Sequence, residues 1–294
     1  MASPKFQIDW VVIVIITDMD RNVLINQLEL SYSPLSNYLF NKLKSDLIIQ
    51  DILESSSLYI IAQRPEISFE KIIHLQEKKA IQFEIHQKNN PEILECEFPY
   101  FQENIATNLK KGLAIILEWN NPSQVNDTSS NVHGIRISEL DSNPDKPLIW
   151  FSPEKFLQNY WKELIIAEIK GDIREFLKYQ VLYIGQTTDQ GLWERLTGHK
   201  HLQDILSLDN PLVFGAHPTH EIALLLFDFQ DTISIRKFGR NSTASDEEIA
   251  DALIGKDMPN RKTIFLDAEK ALIKAMQPIH NKIKFKQYPV SSRS

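Results

Sequence analysis

The chain has 294 residues, a length that predicts two domains and allows a sizeable hydrophobic core. Its composition, 43% apolar and 24% charged, is that of an ordinary globular protein and excludes long disordered tracts. The net charge of −7 argues against a surface broadly adapted to nucleic acid, although it allows a local basic cleft. The single cysteine, Cys96, excludes an intrachain disulfide and a thiolate zinc site, and it favours a reducing cytoplasm.

No segment of the sequence predicts membrane insertion. Residues 1–10 lack the basic start and the apolar stretch of a signal peptide. The most apolar run, residues 10–16, is too short to span a bilayer and predicts a buried strand instead. We therefore expect a cytoplasmic protein with no membrane contact.

The first half of the chain alternates strand and helix patterns, which predicts an α/β or α+β fold. Ser33 and Pro34 favour the start of a helix, and residues 68–76 also have a helical pattern. A polar segment, residues 120–131, is typical of a linker. We therefore predict an N-terminal mixed α/β domain over residues 1–131, with a role in recognition, docking or regulation. The predicted strands cover residues 9–17, 23–30, 58–62, 80–86, 112–119 and 132–140.

The second half, residues 132–294, is predicted to form another domain. Ser152 and Pro153 favour a helix start, and the helix that follows, within residues 153–178, is a candidate insertion. A strand is predicted at residues 221–229 and a helix at residues 245–253. The final helix is expected to begin near Phe265 and to end before Pro278.

Residues 181–200 contain the most informative pattern in the chain. An apolar strand carrying Tyr183 turns at Gly185 and continues into a helix with Arg195 and His199. These two residues are four positions apart, so they share one face of the helix. A tyrosine, a guanidinium and an imidazole in one unit are the groups that a metal-dependent phosphodiesterase needs near a phosphate.

This stretch resembles the second half of the GIY-YIG nuclease signature, with Tyr183, Ile184 and Gly185 as the YIG part. Residues 265–281 resemble the family's C-terminal motif, in which Glu269 and Asn281 are twelve positions apart. The resemblance implies a domain with a small central sheet flanked by helices. It also implies that Glu269 is the ligand of Mg²⁺ or Mn²⁺.

The resemblance assigns a role to each of these side chains. Arg195 would bind phosphate oxygens in a bidentate manner, and His199 would be the general base, as in the restriction-type branch of the family. Tyr183 would donate a hydrogen bond or, with a lowered pKa, share the role of the base. Asn281 would contact phosphate or hold the surroundings of Glu269 in place. Further contacts to the nucleic-acid backbone are predicted for Lys200, His201, Lys282 and Lys284, and His217 and His220 are additional candidates to reach the cleft.

The family's first motif, a Gly-Ile-Tyr strand about ten residues before the YIG strand, has no direct counterpart. One substitute is residues 164–169, with alanine at the tyrosine position. The other, which we prefer, is residues 134–137, with Arg136 at that position and the helix after Pro153 as an insertion. Tyr160 and Tyr179 are candidates to supply the missing ring in space.

These features predict a metal-dependent endonuclease that hydrolyses DNA phosphodiester bonds, with RNA as an alternative substrate. Restriction or antiviral (phage) defence would suit such an enzyme. A homodimer is compatible with a one-site nuclease that cuts both strands, and a protein partner could bind through the N-terminal domain. The alternative is a catalytically weakened module of the same fold that binds nucleic acid or a protein partner. The third hypothesis is a soluble α/β protein whose matches to the family motifs are accidental.

Overall fold

The computed structural model describes residues 5–6, 11–17, 21–102, 105, 112–120, 129–140, 147–187, 191–197, 200–238, 242–256 and 258–288, with side chains from residue 23 onwards except at 197, 200 and 201. Its strands are β1 (Lys5–Phe6), β2 (Val11–Thr17), β3 (Arg21–Leu30), β4 (Leu35–Ser36), β5 (Leu58–Gln63), β6 (Ile67–Leu75), β7 (Ala80–Gln87), β8 (Ile93–Pro99), β9 (Leu113–Glu118), β10 (Gly134–Glu139), β11 (Ile149–Phe151), β12 (Glu168–Lys170), β13 (Tyr179–Gln186) and β14 (Ile222–Lys237). Its helices are α1 (Asn37–Leu43), α2 (Leu47–Glu54), α3 (Pro153–Trp161), α4 (Ile173–Phe176), α5 (Leu192–Thr197), α6 (Lys200–Leu208), α7 (Pro218–Glu221), α8 (Asp246–Leu253) and α9 (Arg261–Met276). The mixed α+β class is as predicted, and no helix among the described residues has the length and apolarity needed to cross a bilayer.

The largest sheet takes its strands from both ends of the chain. Its order is β1-β13-β5-β14-β3-β2, with β4 paired to β14, and its pairings are antiparallel. Strand β5 lies between β13 and the first half of β14, although about 120 residues separate β5 from β13. The division predicted at residue 131 therefore does not follow the sheets, because pairs such as β5 with β13 join its two sides.

The described residues between β5 and β13, which fall within 64–178, form a separate lobe, which we call the inserted lobe. It contains a four-stranded sheet, β12-β8-β7-β6, and a three-stranded sheet, β11-β10-β9. Both sheets and helix α3 share one hydrophobic core, in which Phe69, Phe98 and Phe156 are fully buried. The remaining part of the chain, built on the seven-stranded sheet, is called the main lobe.

Strand β5 is buried on both faces of the main sheet. Leu58, Ile60 and Ala62 belong to the core beneath α9, whereas Tyr59 and Ile61 point to the opposite core, beneath α1, α5 and α6. This alternation follows from the two-residue period of a strand. Burial on both faces explains why the sequence of β5 is a continuous apolar run without alternation.

Several helix starts lie where the sequence predicts them. Ser152 caps α3 by accepting a hydrogen bond from the Lys155 N–H (3.2 Å), and Ser245 caps α8 through a complete capping box. Helix α9 begins at Arg261, four residues before the predicted start. The reason is Asn260, whose side chain accepts from the Thr263 N–H (2.9 Å) and starts the helix earlier.

The helix predicted at residues 68–76 is wrong, because this segment is strand β6. It pairs with β7 along its length, and Phe69 is completely buried in the inserted lobe. The register shifts between Glu70 and Ile73, where Lys71 has a φ of +51°. This bulge interrupts the two-residue alternation, so the apolar spacing of the segment imitates a helix.

A buried ion pair lies in the inserted lobe, next to the point where the chain leaves β5. Arg64, only 3% exposed, bonds to the carboxylate of Glu154 at the start of α3. The same guanidinium lies 5.4 Å from the ring centroid of Tyr179, the first residue of β13. The Arg64 guanidinium therefore lies beside both connections between the lobes, the one after β5 and the one before β13.

A second polar cluster at the junction surrounds Glu66. Its carboxylate lies 2.6 Å from Lys88 Nζ, 2.8 Å from His133 Nε2 and 3.2 Å from His220 Nδ1. Burial opposes ionisation of Glu66, yet the hydrogen bonds from these three groups hold its pKa well below its usual range. The neighbouring Glu221 is almost completely buried, and this burial, together with the charge of Glu66, raises its pKa to about 7.

Candidate active site

Two tyrosines from neighbouring strands meet over a glycine on one face of the main sheet. In the pairing of β5 with β13, Tyr59 lies opposite Gly185, and Tyr183 lies two residues from Gly185 on the same face. The two ring centroids are 6.0 Å apart. A Cβ at Gly185 would lie 2.5 Å from Tyr59 Oη and 2.8 Å from Tyr183 Cε1, so only glycine leaves room for both rings.

Tyr59 therefore places a second phenol beside Tyr183, and this phenol comes from a strand that the sequence analysis did not single out. Both substitutes for the first motif are wrong: residues 134–137 lie in β10, which pairs with β9 and β11, and residues 164–169 lead into β12, which pairs with β8. Tyr160 packs against the core of the inserted lobe, and Tyr179 lies under Arg64. The feature of the sequence that could have indicated Tyr59 is the apolar run of β5, which carries a tyrosine at its second position.

Helix α5 places Arg195 beside both phenol groups. Leu192 and Leu196 are buried beneath the helix, and Trp193 stacks on Phe40 of α1 with ring centroids 4.7 Å apart. The Arg195 guanidinium hydrogen-bonds to Tyr59 and to Tyr183, whose hydroxyls also bond to each other. The cation is thus fixed against the tyrosines before any ligand arrives.

Burial determines the protonation state of both tyrosines. It raises the pKa of Tyr59 and of Tyr183, although the charge of Arg195 acts in the opposite direction. Both phenols are therefore neutral near pH 7 and act as hydrogen-bond donors or acceptors. The condition under which Tyr183 would share the role of the base, a lowered pKa, is not met, because burial outweighs the nearby cation; the role of hydrogen-bond donor remains.

The charge of Glu269, on α9, acts on Arg195 and Tyr183. The buried face of α9 includes Phe265, Ala268 and Leu272, and Glu269 lies at its margin, half-buried. Burial raises the pKa of Glu269, whereas the charges of Arg195 and Lys270 lower it. The Tyr183 hydroxyl also senses the Glu269 charge, so Glu269, Arg195 and Tyr183 interact electrostatically.

Asn281 fixes the backbone of β13 beneath this site. Its Oδ1 accepts from the Ile184 N–H at 2.9 Å, and its Nδ2 donates to the Ile184 carbonyl at 2.8 Å. The side chain is 7% exposed. The predicted phosphate contact is therefore replaced by a positioning role, because both ends of the amide bind the strand between Tyr183 and Gly185.

The other predicted residues are only partly described. His199 lies outside the described residues, as do the side chains of Lys200 and His201. Lys282 is exposed, whereas the Lys284 ammonium donates to the Pro278 carbonyl, and burial lowers its pKa. Lys284 is thus bound within its own segment. His220 belongs to the lobe junction through Glu66, and His217 bonds to Thr219 (2.5 Å).

The residues of this site fit a metal held by one carboxylate. Among the described residues, no cluster of three or more His, Cys, Asp or Glu side chains could hold an ion. Mg²⁺ does not need such a cluster, since it commonly binds through one or two carboxylates and keeps several waters. No side chain within the described ranges hydrogen-bonds to the Glu269 carboxylate.

Comparison of the chain with protein-family models, with characterised proteins and with solved structures gives no match.

Proposed function

We propose that the chain is a metal-dependent endonuclease of the GIY-YIG type that hydrolyses phosphodiester bonds in DNA. The observation that carries the proposal is the convergence of Tyr59, Tyr183, Arg195 and Glu269 from two strands and two helices. A partly buried guanidinium beside two neutral phenols and one half-buried carboxylate is suited to a phosphate with a bound cation.

Each side chain has a role that follows from its surroundings. Arg195 neutralises charge that develops on the phosphate oxygens, and it is already oriented by the two phenols. Tyr59 and Tyr183 hold a water or a phosphate oxygen by hydrogen bonds, since neither is ionised near neutral pH. Glu269 would hold Mg²⁺, which supplies Lewis-acid stabilisation when bound.

The alternative of a weakened binding module loses its original motivation. That alternative depended on the absence of the first motif tyrosine. Tyr59 lies opposite Gly185 and hydrogen-bonds to Arg195, so a second phenol stands at the site. The endonuclease is therefore the reading that we favour.

Cleavage of supercoiled plasmid DNA by the purified chain, with and without Mg²⁺, tests the proposal. Glu269→Gln keeps the shape of the side chain and removes its charge, so we expect a loss of cleavage on the order of a hundredfold or more. Glu247→Ala, an exposed acid of α8, should cleave like the wild type and provides the matched control. Equal Mg²⁺-dependent cleavage by the wild type and by Glu269→Gln would refute the role of Glu269.

A further inference from the structure

Strand β13 contains a bulge immediately before Tyr183. Val181 and Tyr183 lie opposite two consecutive residues of β5, so Leu182 is an extra residue in β13. Without it, Val181 and Tyr183 would point to the same face, because the side chains of a strand alternate. With it, Val181 belongs to the core beneath α9, whereas Tyr183 belongs to the opposite core, on the side of α5. The bulge therefore determines that Tyr183 faces Arg195.

Two consecutive residues after α9, His280 and Asn281, bind the backbone of this bulge. The His280 N–H donates to the carbonyl of Leu182 at 2.9 Å, and Leu182 is the residue that has no partner in the register with β5. The Asn281 side chain bonds to the N–H and to the carbonyl of Ile184. The segment thus fixes the backbone on both sides of Tyr183.

The side chain of His280 joins this segment to a helix on the other face of the sheet. Its Nε2 lies 2.7 Å from Oδ2 of Asp209. Asp209 ends α6, because its N–H donates to the carbonyl of Ile205 at 3.1 Å, and Ile205 is buried in the core beneath α5 and α6. His280 instead follows α9, which packs on the opposite face. The pair therefore connects the helix layer that carries Arg195 with the helix layer that carries Glu269.

We propose that Asp209 and His280 are positioning residues, which hold the bulge of β13 in the geometry that presents Tyr183 to Arg195. Loss of the side-chain bond releases the segment from α6, so the Leu182 carbonyl loses its fixed donor and the strand relaxes at the bulge. The inference rests on the proposed function for its effect on cleavage, whereas the placement of Tyr183 is measurable without any reaction. A pair that only stabilises the fold would lower the free energy of unfolding and leave the Tyr183 ring in place.

The test observes Tyr183 directly, by fluorine NMR of the chain labelled with 3-fluorotyrosine, in which Tyr183→Phe assigns the resonance. His280→Ala and Asp209→Ala should move this resonance to the same new position, because they break the same bond. Asp209→Asn, a milder change, should move it in the same direction. His280→Gln, whose amide can donate to Asp209, should restore the wild-type position. The control is His74→Ala, which removes the bond to Tyr100 in the inserted lobe and should leave the Tyr183 resonance unchanged.

Plasmid cleavage measures the consequence for the proposed reaction. His280→Ala should lower kcat about tenfold, less than the roughly hundredfold loss that a displacement of about 1 Å can cause, and His280→Gln should recover the wild-type rate. The KM for DNA should stay unchanged, because neither member of the pair is assigned a contact with the substrate.

The outcomes separate this inference from the proposed function. The predicted resonance shifts in a chain that does not cleave DNA would support the positioning pair and refute the nuclease. Glu269-dependent cleavage together with an unchanged Tyr183 resonance in His280→Ala and Asp209→Asn would overturn the positioning pair alone. Different shifts in the two alanine variants, or no recovery in His280→Gln, would also overturn it.

Discussion

Tyr59 stands directly opposite Gly185 in the central strand pair, and its hydroxyl fills the space that a side chain at Gly185 would need. The glycine is therefore part of the candidate site even though it carries no reactive group. The same face of the sheet holds Tyr183, so three positions on two strands fix where the phenols meet Arg195.

Replacement of Tyr59 by phenylalanine should separate its chemistry from its packing. The ring stays buried while the hydrogen bond to Arg195 is lost, so we expect Mg²⁺-dependent cleavage to fall about a hundredfold with near-native stability. Tyr100→Phe is the matched control, because Tyr100 is also buried and its hydroxyl bonds to His74 at 3.0 Å in the inserted lobe. An equal loss of cleavage in both variants would contradict a specific role for Tyr59.

Gly185→Ala should damage both stability and activity. The added methyl group would lie 2.5 Å from Tyr59 Oη, so the rings or the strands must shift, at a cost of about 1–3 kcal/mol. Gly112→Ala meets nothing within 4 Å and should change stability by no more than about 0.5 kcal/mol. Urea unfolding of both variants checks this prediction, and a fully stable Gly185→Ala protein would show that the close contact is absent.

Glu221 should make stability fall as the pH rises. The unfolded carboxyl ionises above its ordinary pKa of 4.5, whereas burial and Glu66 keep the folded group protonated up to about pH 7. The free energy of unfolding therefore falls by up to roughly 3 kcal/mol as the pH rises between these two values. Glu66 acts in the opposite sense, since its lowered pKa makes its own contribution disappear as the pH falls below the ordinary range.

Glu221→Gln removes the titrating carboxyl group, so comparison with the wild type isolates the effect of this group on stability. The free energy of unfolding of this variant, relative to the wild type, should rise by up to about 3 kcal/mol between pH 4.5 and pH 8. Urea unfolding of both proteins at the two pH values measures the change, and the other groups cancel in the comparison. A constant difference would mean that Glu221 titrates alike in both states.

The ion pair between Arg64 and Glu154 should matter to the stability of the lobe junction. Its side chains are 3% and 10% exposed, so Arg64→Ala leaves a buried carboxylate without its partner, and we expect a loss of about 3–5 kcal/mol. Lys170→Ala, which breaks the exposed pair with Glu95, should cost at most about 1 kcal/mol.

A double substitution distinguishes the effect of removing the whole ion pair from the effect of leaving one buried charge without its partner. Arg64→Met combined with Glu154→Leu removes both charges and should destabilise the protein less than Arg64→Ala does. Guanidinium unfolding of the variants gives the values. A double variant at least as unstable as Arg64→Ala would show that packing, rather than the buried charge, stabilises the junction.

The amino-acid sequence by itself determined the mixed α+β class, most strands and the capped starts of α3 and α8. It also marked Tyr183, Arg195 and Glu269 as residues of one candidate site, since local motifs carry them. Caps, turns and apolar periodicity are local signals that a short window contains. Where the local signal was distorted, as at the bulge beside Lys71, the sequence predicted a helix in place of β6.

Only the tertiary structure decided that Tyr59 completes the site and that Asn281 holds Ile184. Strand pairing joins residues through backbone hydrogen bonds, which leave no mark on side-chain type. An insertion of more than a hundred residues therefore hides the pairing of β5 with β13 from any local reading. Burial likewise depends on the assembled lobe, and it is the largest cause of the raised pKa of both phenols.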